Sequence, residues 1–208
     1  MQQSLNPWIP SPVSPEETAQ TEESYHPPAA VISAPLAGMV EPDAADRLDR
    51  RTMTGSASVW ITGVHGGAGE SRIADILDGA RVTDHCWPVL PDGITPQVAT
   101  PRVLLVCRAD MRGLTAARSA LTQWASGAAP DVDLLGLAVL ADAPGKTPKE
   151  LREFASIVGG GAPRLWTLSW VESWRLGHST AVPGSRDYQR FITDLAALAT
   201  DNPSSTTK

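Results

Sequence analysis

The chain has 208 residues, 42% hydrophobic and 19% charged, with a formal net charge of −6. That is enough for one domain plus tails, and the acid excess argues against general nucleic-acid binding through a basic face. Two cysteines, Cys86 and Cys107, make no disulfide framework. No apolar run is long enough to span a bilayer, and Met1-Gln-Gln-Ser-Leu-Asn-Pro7 lacks a basic region followed by an apolar stretch. The expectation is a cytoplasmic protein with no transmembrane segment.

Residues 1 to about 55 hold 8 of the 18 prolines, and eight acids oppose three arginines there. Segments such as Ser11-Pro-Val-Ser-Pro15 and His26-Pro-Pro28 resist both helix and ladder. We expect a disordered or extended acidic arm over residues 1–55, with a short helix over Asp43–Met53 as the one exception. Within the arm, Asn6-Pro-Trp-Ile-Pro10 is a proline-framed aromatic of a kind that docks into grooves or stays inert. The tail from Asp201 to Lys208 reads as disordered.

Between the tails, residues 56–200, apolar runs alternate with helical patterns. Ser58–Thr62 predicts a buried strand. Ser71–Ala80 predicts a helix with Ile73, Ile76 and Leu77 on one face. Arg102–Cys107 is a second strand, and Leu114, Ala117, Leu121 and Trp124 follow at helical spacing. Asp133–Leu140 is nearly continuously apolar, as expected of a strand covered on both faces. Thr147-Pro-Lys-Glu150 has the form of a capping box with Pro at the first helical position, opening a helix that gathers Leu151, Phe154 and Val158 and stops at Gly159-Gly-Gly161. A fourth strand over Arg164–Leu168, a short helix through Trp170 and Trp174, and a last helix over Asp187–Ala199 complete the series. This order predicts a three-layer α/β/α sandwich around a mainly parallel sheet of four or five strands.

The segment that carries chemistry is His65-Gly-Gly-Ala-Gly-Glu-Ser-Arg72. A strand leads in, a glycine-rich turn follows, and a helix begins. In that setting backbone N–H groups cradle phosphates. A working loop places a Lys before the Ser or Thr to reach the outer phosphates, and here that position is Glu70. At about 4 Å and an effective dielectric of 20, a unit charge pair contributes roughly 4 kcal/mol, so exchanging attraction for repulsion approaches twice that. The expected role of Glu70 is a built-in anion in the nest a phosphate would use, favoured by the helix N-terminus. The candidate site is therefore His65, Gly66, Gly67, Ala68, Gly69, Glu70, Ser71 and Arg72.

Other candidates carry less. Asp84, His85 and Cys86, with Cys107 and His178, match no zinc-ligand spacing. Trp166, Trp170 and Trp174 stand four apart, with Trp166 expected on a strand and the others against the sheet edge, as core or as a partner-docking ridge. Arg108 and Arg112 lie near the end of a strand, bordering the crevice where open α/β sheets bind ligands.

His65-Gly-Gly-Ala-Gly-Glu-Ser71 resembles the deviant phosphate loop of the ParA/MinD-type ATPases, whose pattern is Lys-Gly-Gly-x-Gly-Lys-Ser/Thr. Val103–Leu114, Leu135–Asp142 and Leu168–Gly177 are similar, in order, to that superfamily's strand before a partner-facing helix, its next strand, and the segment that closes over the base. Together with Ala-Asp-Ala-Pro-Gly145, the loop is also similar to uncharacterised ParA-like proteins of actinobacterial plasmids and integrative elements. The resemblance implies a P-loop NTPase-like fold with His65 and Glu70 in place of the two lysines. Only Ser71, the magnesium-ligand position, is kept. Arg81–Pro101 fill the interval in which the superfamily carries its catalytic Asp loop and Walker B strand, and neither Asp84 nor Asp92 ends an apolar strand. The implied function is a non-hydrolysing adaptor or scaffold with a protein partner, in plasmid partition or conjugative transfer, with no cofactor and a homodimer as one possible form. The alternative is a nucleotide switch that binds ATP and Mg2+ and dimerises, with Arg72 replacing the lost lysines.

Overall fold

A computed structural model describes residues 36, 38–91, 100–177 and 182–200. Within it five strands form one parallel sheet in the order β3-β2-β5-β6-β7: β2 (Trp60–Gly63), β3 (Arg81–Val82), β5 (Arg102–Arg108), β6 (Asp133–Leu140) and β7 (Leu165–Leu168). Each is followed, directly or after a turn, by a helix or crossover. The helices are α1 (Glu70–Asp75), α2 (Met111–Ala125), α3 (Lys149–Gly159), α4 (Glu172–Arg175) and α5 (Arg186–Thr200). The expected three-layer α/β/α fold with a parallel sheet is the one found.

Side chains alternate across β5, and this alternation divides the core. Val103, Leu105 and Cys107 face α2 and α3, joined by Leu114, Leu121 and Val158. Leu104 and Val106 face α1 and α5, joined by Ile73, Trp166, Tyr188 and Phe191. Both faces of β5 are buried, so an uninterrupted apolar run is the pattern the site demands. The Cys107 thiol is fully buried, and that burial pushes its pKa up to about 12, so it packs as a small apolar residue. Gly136 sits where the register between β5 and β6 shifts, with φ +153°. A Cβ there would meet the Arg164 carbonyl oxygen at 2.5 Å and the Trp166 ring at 2.7 Å.

The N-terminal flank departs from expectation. Asp43–Met53 is not a helix: a single 3-10 turn spans Ala44–Asp46, and the chain then extends into β1 (Asp49–Thr52). β1 pairs in parallel with β4 (Cys86–Val89), a strand the sequence reading passed over, as it did β3. Residues well before 56 thus take part in the fold; residues 1–35, most of the expected arm, and the tail from 201 lie outside the described residues. Gln123 of α2, buried inside the protein, holds this flank in place. Its amide oxygen accepts from Leu48 N (3.0 Å) and Trp87 Nε1 (2.9 Å), and its amide nitrogen donates to Leu48 O (3.1 Å). Leu36 N donates to Ala125 O at 2.7 Å and Arg50 to Ala128 O at 2.8 Å, so the flank wraps the C-terminal end of α2.

Two helix starts also differ. α1 begins at Glu70 and closes after Asp75, because Gly79 turns at φ +69° and Ser58 binds the Asp78 and Gly79 backbone, delivering Arg81 beside β2. The α3 N-cap residue is Pro148, with no side-chain cap, so Thr147 does not close a capping box. The true side-chain cap is at α2, where Asp110 accepts from Gly113 N at 2.6 Å.

Replacing Gln123 by Leu leaves three polar partners unanswered, the buried Trp87 Nε1 and the half-buried backbone N–H and carbonyl of Leu48. Gln123→Leu is expected to lower the free energy of unfolding by about 3 kcal/mol, checked by urea denaturation, against an effect below about 0.5 kcal/mol for exposed Gln189→Leu.

Candidate functional site

The loop lies at the carboxyl end of β2. Along its β3 side the ladder runs through Arg81 N to Val59 O and Thr83 N to Ile61 O, then ends as Asp84 and His85 adopt left-handed backbone (φ +53° and +62°). No strand remains to meet Gly63. Side chains finish the job: Glu70 Oε2 accepts from Gly63 N at 2.7 Å, and His85 Nδ1 bonds Gly63 O at 2.9 Å. His85 Nδ1 also lies 3.5 Å from Glu70 Oε1. Both of its neighbours are acceptors, so Nδ1 carries the proton. A Cβ on Gly63 would sit 2.9 Å from both the Glu70 carboxylate and the His85 ring, so the position has room only for hydrogen.

This corrects the expected placement of Glu70. The side chain is buried, but its carboxylate turns inward to the strand end instead of occupying the nest. Gly69 caps the helix in the left-handed conformation, Ala68 is buried, and Gly66 and Gly67 are exposed. Ser71 is exposed on α1, and Arg72 forms only a loose pair with Asp75 at 3.9 Å.

His65 is fixed within the fold. Its Nδ1 donates to Gly66 O (2.9 Å) while its Nε2 accepts from Arg108 N (3.2 Å), which selects the neutral Nδ1–H tautomer. Arg108, at the end of β5, bridges the loop to the end of β6: its Nε donates to Gly67 O (3.2 Å) and its Nη1 to Ala141 O (3.1 Å). Arg112 is exposed in the first turn of α2 and borders the open side of the loop with His65, Gly66 and Gly67.

Beyond Arg108 a cleft of about 220 Å³ opens at the ends of β6 and β7. The sequence reading missed it as a unit, since Arg72, Arg108, Arg175, Trp170, Trp174 and Tyr188 come from four separate stretches of chain. The three tryptophans do not form one ridge. Trp166 is buried on β7, edge-on to Phe191 (5.5 Å) and bonded to Asp194; Trp174 stands edge-on to Tyr188 (5.4 Å); Trp170 is half-buried and donates to Glu172 at 2.6 Å. Burial pushes the Tyr188 hydroxyl well above its ordinary range, aided by nearby Asp187 and opposed by Arg108, so it stays protonated and donates to Ser169 O. Asp187 accepts from Ser169 N at 2.5 Å. Burial would raise its pKa, but hydrogen bonds from Ser185 and Ser169 outweigh that and hold it below the usual carboxylate range.

Among the described residues no group of three His, Cys, Asp or Glu side chains gathers to hold a metal, and His178 and Asp92 lie outside those residues. Asp84 follows β3 but turns outward to Arg51 at 2.8 Å. No helix among the described residues is long and apolar enough to cross a membrane.

Two outcomes test this geometry. Glu70→Ala strands the Gly63 N–H and is expected to cost about 2 kcal/mol of stability, while Glu70→Gln, which keeps an acceptor, loses less than half of that. For Asp187, the unfolded chain takes up its proton first as pH falls, so the stabilisation is present at neutral pH and disappears below the ordinary carboxylate value. The stability gap between wild type and Asp187→Asn, under about 1 kcal/mol at pH 7 after solvent screening, is expected to close on titration to about pH 2.

Neither a curated protein nor a solved structure matches the chain. Residues 57–188, from the run into β2 to the first turn of α5, match a family of unknown function, DUF6668, and the protein belongs to that family.

Proposed function

We propose that this domain is a non-hydrolysing, P-loop-like adaptor whose loop is shaped by its own side chains instead of by a nucleotide. The observation that carries this reading is the Glu70 carboxylate, buried against Gly63 N and His85 at the base of the loop. Magnesium triphosphate suits this donor set poorly. The residue that would neutralise the outer phosphates is an acid, and the nearest carboxylate after β3, Asp84, is spent on Arg51. α1 has six residues, so its dipole adds little to offset the repulsion.

An adaptor needs a surface, and the exposed Gly66 and Gly67 adjoin exposed Arg112 in the first turn of α2. A protein partner, or a second copy of the chain, seats there in this reading. The resemblance to the ParA/MinD-type ATPases makes partition or conjugative-transfer machinery its setting. The competing reading, an ATP-binding switch, draws its support from one contact, the Arg108 guanidinium on Gly67 O, which brings a cation to the loop from β5.

Thermal unfolding with and without magnesium ATP separates the two. The adaptor reading expects the wild-type midpoint to move by less than about 1 °C at millimolar nucleotide. A wild-type rise of several degrees that Ser71→Ala removes would instead establish the switch.

A further inference from the structure

The cleft beside the loop has a chemistry of its own. Its wall carries three guanidinium groups, Arg72, Arg108 and Arg175, and three aromatic rings, Trp170, Trp174 and Tyr188. Among the described residues, neither Arg108 nor Arg175 is paired with a carboxylate, and Arg72 reaches Asp75 only at 3.9 Å. Glu172 and Asp187 stand on the same helices as Arg175 and Tyr188, but neither lines the cleft itself: the Glu172 carboxylate is held by Trp170 Nε1 and that of Asp187 by Ser169 N, so each is engaged by a residue of the wall. The open region on the other side of Arg108 differs, since Asp110 and Asp142 rim it. An anion is therefore favoured on the cleft side.

We propose that this cleft binds a small phosphate monoester carried on a flat ring. Three cations around one concavity select a dianion over a carboxylate, and a phosphate monoester carries about −1.5 to −2 charge at neutral pH. Arginine is the side chain suited to that task, because its planar fork meets two phosphate oxygens at once. Arg108 is already oriented by the Gly67 and Ala141 carbonyls, so little freedom is lost when an anion arrives. The ring requirement comes from the indoles. Trp174 is braced edge-on against Tyr188 with the ring centroids 5.4 Å apart, and Arg175 lies over Trp170 at 6.0 Å, leaving a rigid aromatic wall. A volume of about 220 Å³ limits the ligand to a single ring with its phosphate. The crevice at the carboxyl ends of parallel strands is where such folds receive ligands, and this proposal stands whether or not the loop has an adaptor role.

The test titrates the full chain with phenyl phosphate, read by tryptophan fluorescence and by calorimetry without magnesium. Saturable binding in the sub-millimolar range is expected, at least about tenfold tighter than inorganic phosphate, which lacks the ring, and than benzoate, which lacks the second charge. Arg72→Gln and Arg175→Gln should each weaken it about tenfold, while Arg118→Gln, exposed on α2, leaves it unchanged. Circular dichroism checks that each variant is folded; Arg175 is itself exposed, so its replacement leaves the core intact. No saturation by about 5 mM phenyl phosphate, equal affinity for benzoate or for inorganic phosphate, or wild-type affinity in both arginine variants would each overturn the proposal.

Discussion

A buried carboxylate has to be answered by donors, and Glu70 finds its donor in the backbone of Gly63. The need is mutual. β3 ends two residues after it begins, so the last polar groups of β2 face an edge with no strand beside them. Glu70 satisfies the N–H and His85 satisfies the carbonyl. The left-handed pair Asp84–His85 turns the chain so that the imidazole arrives there, and β4 then departs to pair with β1 instead of extending the main sheet. One contact thus fixes where β2 stops, how α1 begins and where the neighbouring chain leaves the sheet.

The consequence for the loop is geometric independence. In a nucleotide-dependent fold the glycine turn is held open by the phosphate it surrounds. Here the turn is tied from both ends by protein groups: Glu70 below, and His65 with Arg108 from β5. His65 accepts the backbone N–H of Arg108, and the Arg108 side chain reaches back to Gly67, so each holds the other. Nothing in that circuit requires a ligand to complete it.

Sequence patterning revealed the elements whose burial is complete. Asp133–Leu140 is read with its observed ends, because every residue after the first is buried and apolar character has no competing explanation. The amphipathic helices α2 and α5 were legible for a different reason, the helical spacing of their apolar residues. β1 was not: Asp49-Arg-Arg-Thr52 is exposed throughout, and its pairing depends on β4 and on the distant Gln123. β4 carries a proline and lies in no alternating pattern, although its own Trp87 is fully buried. At the site, sequence shows which residue replaced the lysine, but not which way it points. That depends on the missing strand next to Gly63, a fact of topology. The aromatic cleft was hidden for a related reason, since Arg72 and Arg175 meet only after α1 and α4 are placed on the same end of the sheet.

The cations of this domain have not vanished so much as moved. The helix that would present a phosphate to its N-terminus is six residues long, and its first residue is an acid turned inward. Arg72, two residues further along α1, lines the cleft together with Arg108 and Arg175. Positive charge is therefore concentrated in the cleft beside the glycine turn, with Arg108 shared between the two through its bond to Gly67 O. A low-dielectric wall of two indoles and a buried tyrosine strengthens the field of those guanidinium groups relative to open water. In the proposed reading, the acid at the start of α1 disfavours a triphosphate in the loop, while the guanidinium groups a short distance away favour a smaller anion in the cleft.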